Sequence, residues 1–175
     1  MPNKTKIHIQ YRLQDGTPIP GVTTVLNILA KPALIHWAWD LGTKGLDYRK
    51  VRDTAGDIGA LAHYLILCHL KGEPPDTSEY SAQDIDKAET CLLKFGEWEN
   101  LHPFKVILAE QPLVSEKYGF GGTVDCLAGM GGSLEGVLLD FKTGKANYQE
   151  KFNQLASYRI LLLENGFPAN SARIL

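Results

Sequence analysis

Acidic and basic side chains occupy positions in two apolar segments that could together bind a metal ion. Asp140 and Lys142 lie two residues apart in residues 138–142, so on a β-strand both would point to one face of a sheet. Such a pair can also be a plain ion pair at a sheet edge, where it contributes little to stability. Asp125 lies in a second apolar segment, residues 123–128, which a short loop joins to the first. Adjacent antiparallel strands would place Asp125 close to Asp140.

A third carboxylate, Glu110, lies on the strand predicted before these two, and Glu116 is an alternative for the same role. Three carboxylates that converge on one sheet repel one another unless a cation neutralises them. Mg²⁺ prefers oxygen ligands, and divalent cations stabilise the charges that develop when a phosphodiester is hydrolysed. Lys142 would then orient the attacking water or stabilise charge on the phosphate. The residue types therefore favour a metal-dependent phosphodiesterase centre on Glu110, Asp125, Asp140 and Lys142.

The elements that must position these residues are predicted from apolar periodicity and from turn and capping signals. Pro32 suits the first turn of a helix, Ser81 and Asp84 fit an N-terminal capping box, and Asp15-Gly16 marks a turn. The predicted helices cover residues 23–30, 32–42, 59–70, 81–100 and 147–164. The predicted strands cover residues 7–13, 104–110, 113–115, 123–128, 137–142 and 172–175, the last expected to be cut short by the chain end.

This order of elements predicts one α/β (α+β) domain over residues 1–175, with a central mixed sheet flanked by helices. Residues 1–103 would form a hairpin and a helical elaboration, and residues 104–175 would form the catalytic sheet and its helix. A chain of 175 residues falls within the roughly 100–200 residues of one domain.

Composition is that of an ordinary globular protein, with 44% hydrophobic residues, 22% charged residues and a formal net charge of −2. The absence of a strongly basic balance argues against a protein that coats DNA. Basic residues nevertheless form two local clusters, which are either DNA contacts or solvated faces. These clusters are Arg49, Lys50 and Arg52, and Lys142, Lys145 and Lys151.

The three cysteines, Cys68, Cys91 and Cys126, are far apart and form no CxxC pair. This pattern favours a reducing compartment without a disulfide framework, and it predicts no iron–sulfur cluster. The amino-terminal residues do not resemble a signal peptide, and no apolar run reaches the ~20 residues of a membrane span. We expect a protein of the cytoplasm of a bacterial or phage-infected cell, without membrane contact.

Together, the motifs and their order resemble the RecB-like branch of the PD-(D/E)xK nucleases, in particular phage and prophage members. The matching motifs are Glu110, residues 121–125 (GGTVD), residues 140–145 (DFKTGK), Gln154-x-x-x-Tyr158, the upstream residues 59–63 (GALAH), and residues 21–26 (GVTTVL) followed by Lys31-Pro32 and Trp37. The resemblance covers most of the chain. Each motif alone is short, whereas their order and spacing together are fairly specific.

This resemblance implies a restriction-endonuclease-like core that binds Mg²⁺ or Mn²⁺. Asp125 and Asp140 would be metal ligands, with the backbone carbonyl of Phe141 as a third, and Glu110 and His63 would complete or tune the ligand set. Lys142 would be the catalytic lysine, and Gln154, Tyr158 and Lys145 would orient the site or contact DNA.

The function implied is metal-dependent hydrolysis of DNA in phage or prophage replication, recombination or repair. An exonuclease is preferred, with a sequence- or structure-specific endonuclease and a catalytically silent DNA-binding or assembly protein as alternatives. The expected partners are DNA, a separate helicase or a single-strand annealing or binding protein, and further copies of the chain.

Several of these residues also have an ordinary structural interpretation. His63 could be a core histidine, and Gln154 and Tyr158 could be packing groups that share one helix face at positions i and i+4. The three tryptophans, Trp37, Trp39 and Trp98, are expected in the core, with a stacking platform for single-stranded bases as the alternative.

Overall fold

The computed structural model describes residues 9–130, 136–144 and 149–175. Residues 1–8, the loop 131–135 between the second and third strands, and residues 145–148, which include Lys145, lie outside the described residues. The described elements are α1 (Val22–Leu26), α2 (Pro32–Thr43), α3 (Tyr48–Lys71), α4 (Ala82–Leu101), β1 (Phe104–Ser115), β2 (Phe120–Met130), β3 (Gly136–Asp140), α5 (Gln149–Glu164) and β4 (Ala169–Ile174).

The four strands form one mixed sheet in the order β1-β2-β3-β4, with helices on both sides. The β1–β2 and β2–β3 pairs are antiparallel, whereas β3 and β4 are parallel. Cys126 pairs with Ala109 on one side and with Leu139 on the other. This register brings the neighbouring residues Glu110, Asp125 and Asp140 to corresponding positions on three adjacent strands. The predicted mixed sheet flanked by helices is therefore confirmed.

Apolar side chains cover both faces of the central strands, as expected when helices pack on each side of a sheet. All five residues of β3 are buried. One core cluster joins strand residues such as Leu127 and Leu138 to Leu161 of α5. A second cluster joins strand residues to Ile66 of α3 and Phe95 of α4. The sheet is thus fixed between α5 on one side and the α3–α4 pair on the other.

The helix α3 begins at Tyr48, well before the predicted start at residue 59. Its start is set by Asp47, whose side chain accepts a hydrogen bond from the backbone N–H of Arg49 at 2.9 Å. Gly72 ends the helix with a left-handed φ of +68°, a conformation that glycine adopts without steric cost. The capping interaction predicted for α4 is confirmed, because the Asp84 N–H donates to Ser81 Oγ at 3.2 Å.

Several predicted strand boundaries were wrong. The two strands predicted over residues 104–115 are the single strand β1, while β2 begins at Phe120 and β4 at Ala169. The strand β3 ends at Asp140, so Lys142 lies in the following loop. Hydrogen bonding to a neighbouring strand can extend a strand beyond the residues whose apolar–polar alternation predicts it. Sequence patterns therefore misplace such strand ends.

The amino-terminal predictions are only partly confirmed. The turn at Asp15-Gly16 is present, but residues 9–13 contribute only an isolated bridge between Arg12 and Pro18 instead of a strand. The short helix α1 ends at Leu26 rather than near residue 30. Trp39 is 71% exposed and therefore does not belong to the core, since α2 buries none of its residues.

Among the described residues, no helix combines the length and apolar character that crossing a membrane requires.

Candidate metal centre

Three side chains from three different elements converge beside the middle of β1 and β2. His63 comes from α3, Glu110 from β1 and Asp125 from β2, and their potential ligand atoms all lie within 4.8 Å of one another. His63 Nδ1 is 3.8 Å from Glu110 Oε1 and 3.7 Å from Asp125 Oδ1. Ligands about 2.1 Å from an octahedral cation lie about 3 Å apart as neighbours and about 4 Å apart across the ion. A small inward movement would therefore let this group hold a metal ion.

The backbone of Glu110 is unusual and helps to aim its carboxylate. Its φ of +49° is the one positive φ of a non-glycine residue among the described residues. Ala109 and Gln111 on either side pair with Cys126 and Val124, so the strand continues past the distortion. A left-handed residue inside a strand costs free energy, and such residues concentrate at functional sites.

The histidine ring is oriented by a backbone carbonyl. His63 Nε2 lies 2.8 Å from the carbonyl oxygen of Phe141, so the Nε2–H donates to that oxygen. In the neutral ring this assigns the lone pair to Nδ1, which faces Glu110 and Asp125. Histidines that bind metals usually donate their other N–H to a carbonyl or carboxylate in this way. The arrangement of His63 is thus compatible with a metal ligand.

Burial and the neighbouring carboxylates act in opposite directions on the pKa of His63. Burial alone would lower the pKa of His63, but the Glu110 and Asp125 carboxylates outweigh burial and raise that pKa above its ordinary value. Either a proton on His63 or a cation between the three groups would relieve the repulsion between the facing lone pairs and negative charges.

Asp125 is buried, with 8% of its surface exposed. Its Oδ2 accepts a hydrogen bond from the Phe141 N–H at 2.8 Å, which leaves Oδ1 directed towards His63. Burial raises the pKa of Asp125 from 3.8 to about 6, and the nearby Asp140 carboxylate adds to this rise. His63 and Lys142 oppose the rise, because their positive charges favour the ionised carboxylate.

Beside this group lies the ion pair of Asp140 and Lys142. Asp140 is fully buried at the end of the inner strand β3, and its Oδ2 is 2.6 Å from Lys142 Nζ. The pair is therefore not the exposed sheet-edge ion pair that the sequence left open. The Oδ1 atom of Asp140 is buried without a hydrogen-bond partner among the described residues. A buried acceptor of this kind calls for a donor or a cation.

The structure separates the predicted ligands into two sets. His63, Glu110 and Asp125 form the compact group, whereas Asp140 lies against Lys142, and the Phe141 carbonyl accepts the hydrogen bond from His63. Metal binding by Asp140 and by the Phe141 carbonyl remains a prediction.

The alternative acid Glu116 lies elsewhere. It is exposed, and its Oε1 accepts a hydrogen bond from the Gln14 N–H at 2.9 Å. Glu110, not Glu116, therefore supplies the third carboxylate of the site region.

Gln154 and Tyr158 share one face of α5, as their spacing predicted. Gln154 Nε2 donates to the Tyr158 hydroxyl at 2.8 Å, and Tyr158 is buried. Burial, together with the Asp125 charge, raises the pKa of the Tyr158 hydroxyl. The tyrosine is thus within electrostatic reach of the carboxylates, while its role in catalysis remains a prediction.

Sequence reasoning treated Lys151 only as part of a basic cluster, but its ammonium lies near the site. Burial and the Lys142 charge lower the pKa of Lys151, and the Asp140 carboxylate partly compensates. Lys151 precedes Gln154 by three residues and Tyr158 by seven, a spacing that places all three on one helix face. From that spacing the position of Lys151 beside Gln154 and Tyr158 could have been predicted.

Comparisons with known proteins add no family assignment. No protein-family model matches the chain, and no curated protein matches it either.

Proposed function

We propose that this protein is a nuclease that hydrolyses DNA phosphodiester bonds with Mg²⁺ or Mn²⁺. The observation that carries the proposal is the convergence of His63 Nδ1 with the carboxylates of Glu110 and Asp125. Two carboxylates suit Mg²⁺ and Mn²⁺ better than softer metals, and one imidazole is compatible with Mn²⁺. Cysteine ligands are not part of this group.

The proposed chemistry divides between the cation and the protein. A bound divalent cation lowers the pKa of water and neutralises charge on the phosphate and the leaving oxygen. The ammonium of Lys142 would contact a phosphate oxygen, and Asp140 holds that ammonium in place at 2.6 Å. The Phe141 carbonyl fixes the ring of His63, and the Phe141 N–H fixes the carboxylate of Asp125. One backbone segment thereby positions two ligands and the neighbouring lysine.

The finer part of the proposal is a RecB-like exonuclease with a restriction-endonuclease-like core, acting in phage or prophage DNA metabolism. It is supported by the order of motifs in the sequence and by a mixed sheet with helices on both faces. The Gln154–Tyr158 pair on α5, beside the carboxylates, is also in keeping with it. A separate helicase or a single-strand annealing or binding protein would deliver the DNA.

The test is cleavage of linear and of closed-circular DNA with Mn²⁺ or Mg²⁺. We expect degradation of linear DNA only, with complete inhibition by a chelator. Asp125→Asn and Lys142→Gln should each lower the rate by at least about a hundredfold, the scale on which loss of a metal-centre group acts.

Glu116→Gln is the matched control, because it removes an exposed carboxylate far from the group and should retain full activity. Cleavage of the circle would replace the exonuclease with an endonuclease. No cleavage of either DNA, with no binding of Mn²⁺, would refute the catalytic proposal and leave a DNA-binding module.

A further inference from the structure

Two cavities share His63 in their lining. The first, the acidic cleft, has a volume of about 700 Å³ and is lined by the two carboxylates Glu110 and Asp125. The second, the aromatic cavity, has a volume of about 350 Å³ and is lined by Lys142. His63 and Thr143 line both cavities. A ligand that spans them would pass between the carboxylates and the lysine.

The walls of the aromatic cavity are flat and apolar. Phe95 and Phe141 meet edge to face, with ring centroids 5.3 Å apart, and Trp98 lies 6.2 Å from Phe95. The indole of Trp98 also stacks on His102 at 4.8 Å with an interplanar angle of 13°, which holds it in place. The aromatic cavity is thus lined by aromatic rings that contact one another, and its volume is within the size range of small-molecule sites.

Positive charge borders the aromatic cavity. Lys142 lines the inner end, next to the acidic cleft, and the exposed Lys94 of α4 lines the outer part. A ligand that suits the surroundings therefore combines a flat apolar group with an anionic group attached beside it. A nucleotide has both, since its base can stack on aromatic rings while its phosphate reaches a lysine.

We propose that the aromatic cavity binds the base of an unpaired nucleotide, whose phosphate lies between Lys142 and the carboxylates of the acidic cleft. This inference rests on the proposed nuclease function and specifies its substrate as a DNA strand with an unstacked base at the site. Recognition by stacking is tolerant of sequence, because every base has an aromatic face. A nucleotide inside a closed duplex would first have to be unpaired, which costs free energy.

Cys91 lines the aromatic cavity and gives a readout that does not depend on catalysis. It is half-buried, whereas Cys68 and Cys126 are buried. The experiment measures the rate of Cys91 alkylation by N-ethylmaleimide, by peptide mass spectrometry, with Ca²⁺ present to neutralise the carboxylates beside the phosphate. The probes are single-stranded oligothymidylate and the same oligonucleotide with abasic residues throughout.

With oligothymidylate at about ten times its Kd, we expect Cys91 alkylation to slow by about tenfold, because only the unoccupied cavity reacts, and we expect the abasic oligonucleotide at the same concentration to have no such effect. Lys94→Gln, which leaves the cavity walls intact, should weaken the protection. Equal protection by both oligonucleotides, or protection by neither, would overturn the base-binding inference.

A second measurement separates this inference from the proposed function. Cys91→Leu and the bulkier Cys91→Trp should progressively reduce the volume of the aromatic cavity and lower cleavage of single-stranded DNA, by about tenfold for Cys91→Trp, while stabilisation by Mn²⁺ stays as in the parent protein. Absence of cleavage in the parent protein would refute the nuclease, and the alkylation result would still decide whether a base binds. Unchanged cleavage by a folded Cys91→Trp variant would overturn the inference alone.

Discussion

His63 shows how a single side chain is fixed by contacts distant in sequence. Its Nε2 donates to the carbonyl of Phe141, 78 residues away, and its Nδ1 faces two carboxylates. The proximity of Asp125 and Asp140 could be predicted, because neighbouring antiparallel strands place them side by side, although Lys142 lies in the loop after β3. The orientation of His63 could not be predicted, because it depends on how α3 packs against the sheet.

The buried charge of Asp125 leads to a prediction at the same scale. Without metal at pH 7, Asp125→Asn should stabilise the fold, by up to about 3 kcal/mol for a pKa about 2 units above its ordinary value. The amide oxygen of asparagine can still accept the hydrogen bond from the Phe141 N–H. Urea denaturation of both proteins between pH 4 and pH 8 gives the difference.

The sign of the pH dependence follows from the raised pKa of Asp125. Relative to the asparagine variant, the stability contributed by this carboxyl is fully present below its unfolded pKa of 3.8, and it is lost as pH rises through about 6. The advantage of Asp125→Asn should therefore shrink towards pH 4. An advantage that is constant from pH 4 to pH 8 would contradict the assignment of a buried carboxylate.

At the scale of elements, local signals account for the helices better than for the strands. Ser81 and Pro32 were sufficient to place the starts of α4 and α2, because caps and first-turn prolines act within a few residues. The true length of β1 could not be predicted, because it depends on pairing with β2 through a distorted residue, Glu110. The early start of α3 was missed although Asp47 is an ordinary cap.

Two glycines provide a matched test of how elements pack. A Cβ at Gly122 of β2 would lie 2.8 Å from Tyr158 Cε1 and 3.0 Å from Leu161 Cδ1, so Gly122→Ala should lower the free energy of unfolding by about 1–3 kcal/mol. A Cβ at Gly96 of α4 would meet nothing within 4 Å. Gly96→Ala should instead raise stability by roughly 0.5–1 kcal/mol through helix propensity.

Thermal and urea unfolding of the two alanine variants check this pair. Equal effects of the same sign would show that close packing of α5 on β2 does not distinguish the two positions.

At the scale of the whole molecule, the sheet topology brings residues from distant parts of the chain together at the candidate site. The mixed sheet could be predicted in outline from the order of helices and strands, whereas the contact of α3 with β1 and β2 is a tertiary property. The exposed apolar surface of Trp39 on α2 was likewise not predictable, because periodicity shows that a helix forms but not what covers it.

Metal binding should stabilise the whole fold, because the three ligands converge only when α3, β1 and β2 are packed together. With free Mn²⁺ at about 100 times its Kd, the free energy of unfolding should rise by about 2.7 kcal/mol. Urea denaturation with and without a chelator measures the effect. The gain should disappear in Asp125→Asn and persist in Glu116→Gln, and an identical gain in both variants would place the metal elsewhere.

The hydrogen bond between His63 and the Phe141 carbonyl has a consequence for biosynthesis. The two residues are separated by 78 positions, so the ribosome adds Phe141 about 4–16 s after His63 at roughly 5–20 residues per second. During that interval the growing chain holds the histidine without the carbonyl that orients it, and it also lacks Asp140 and Lys142. Translation thus completes the candidate metal centre only once Lys142 has been added, after most of the 175 residues have been made.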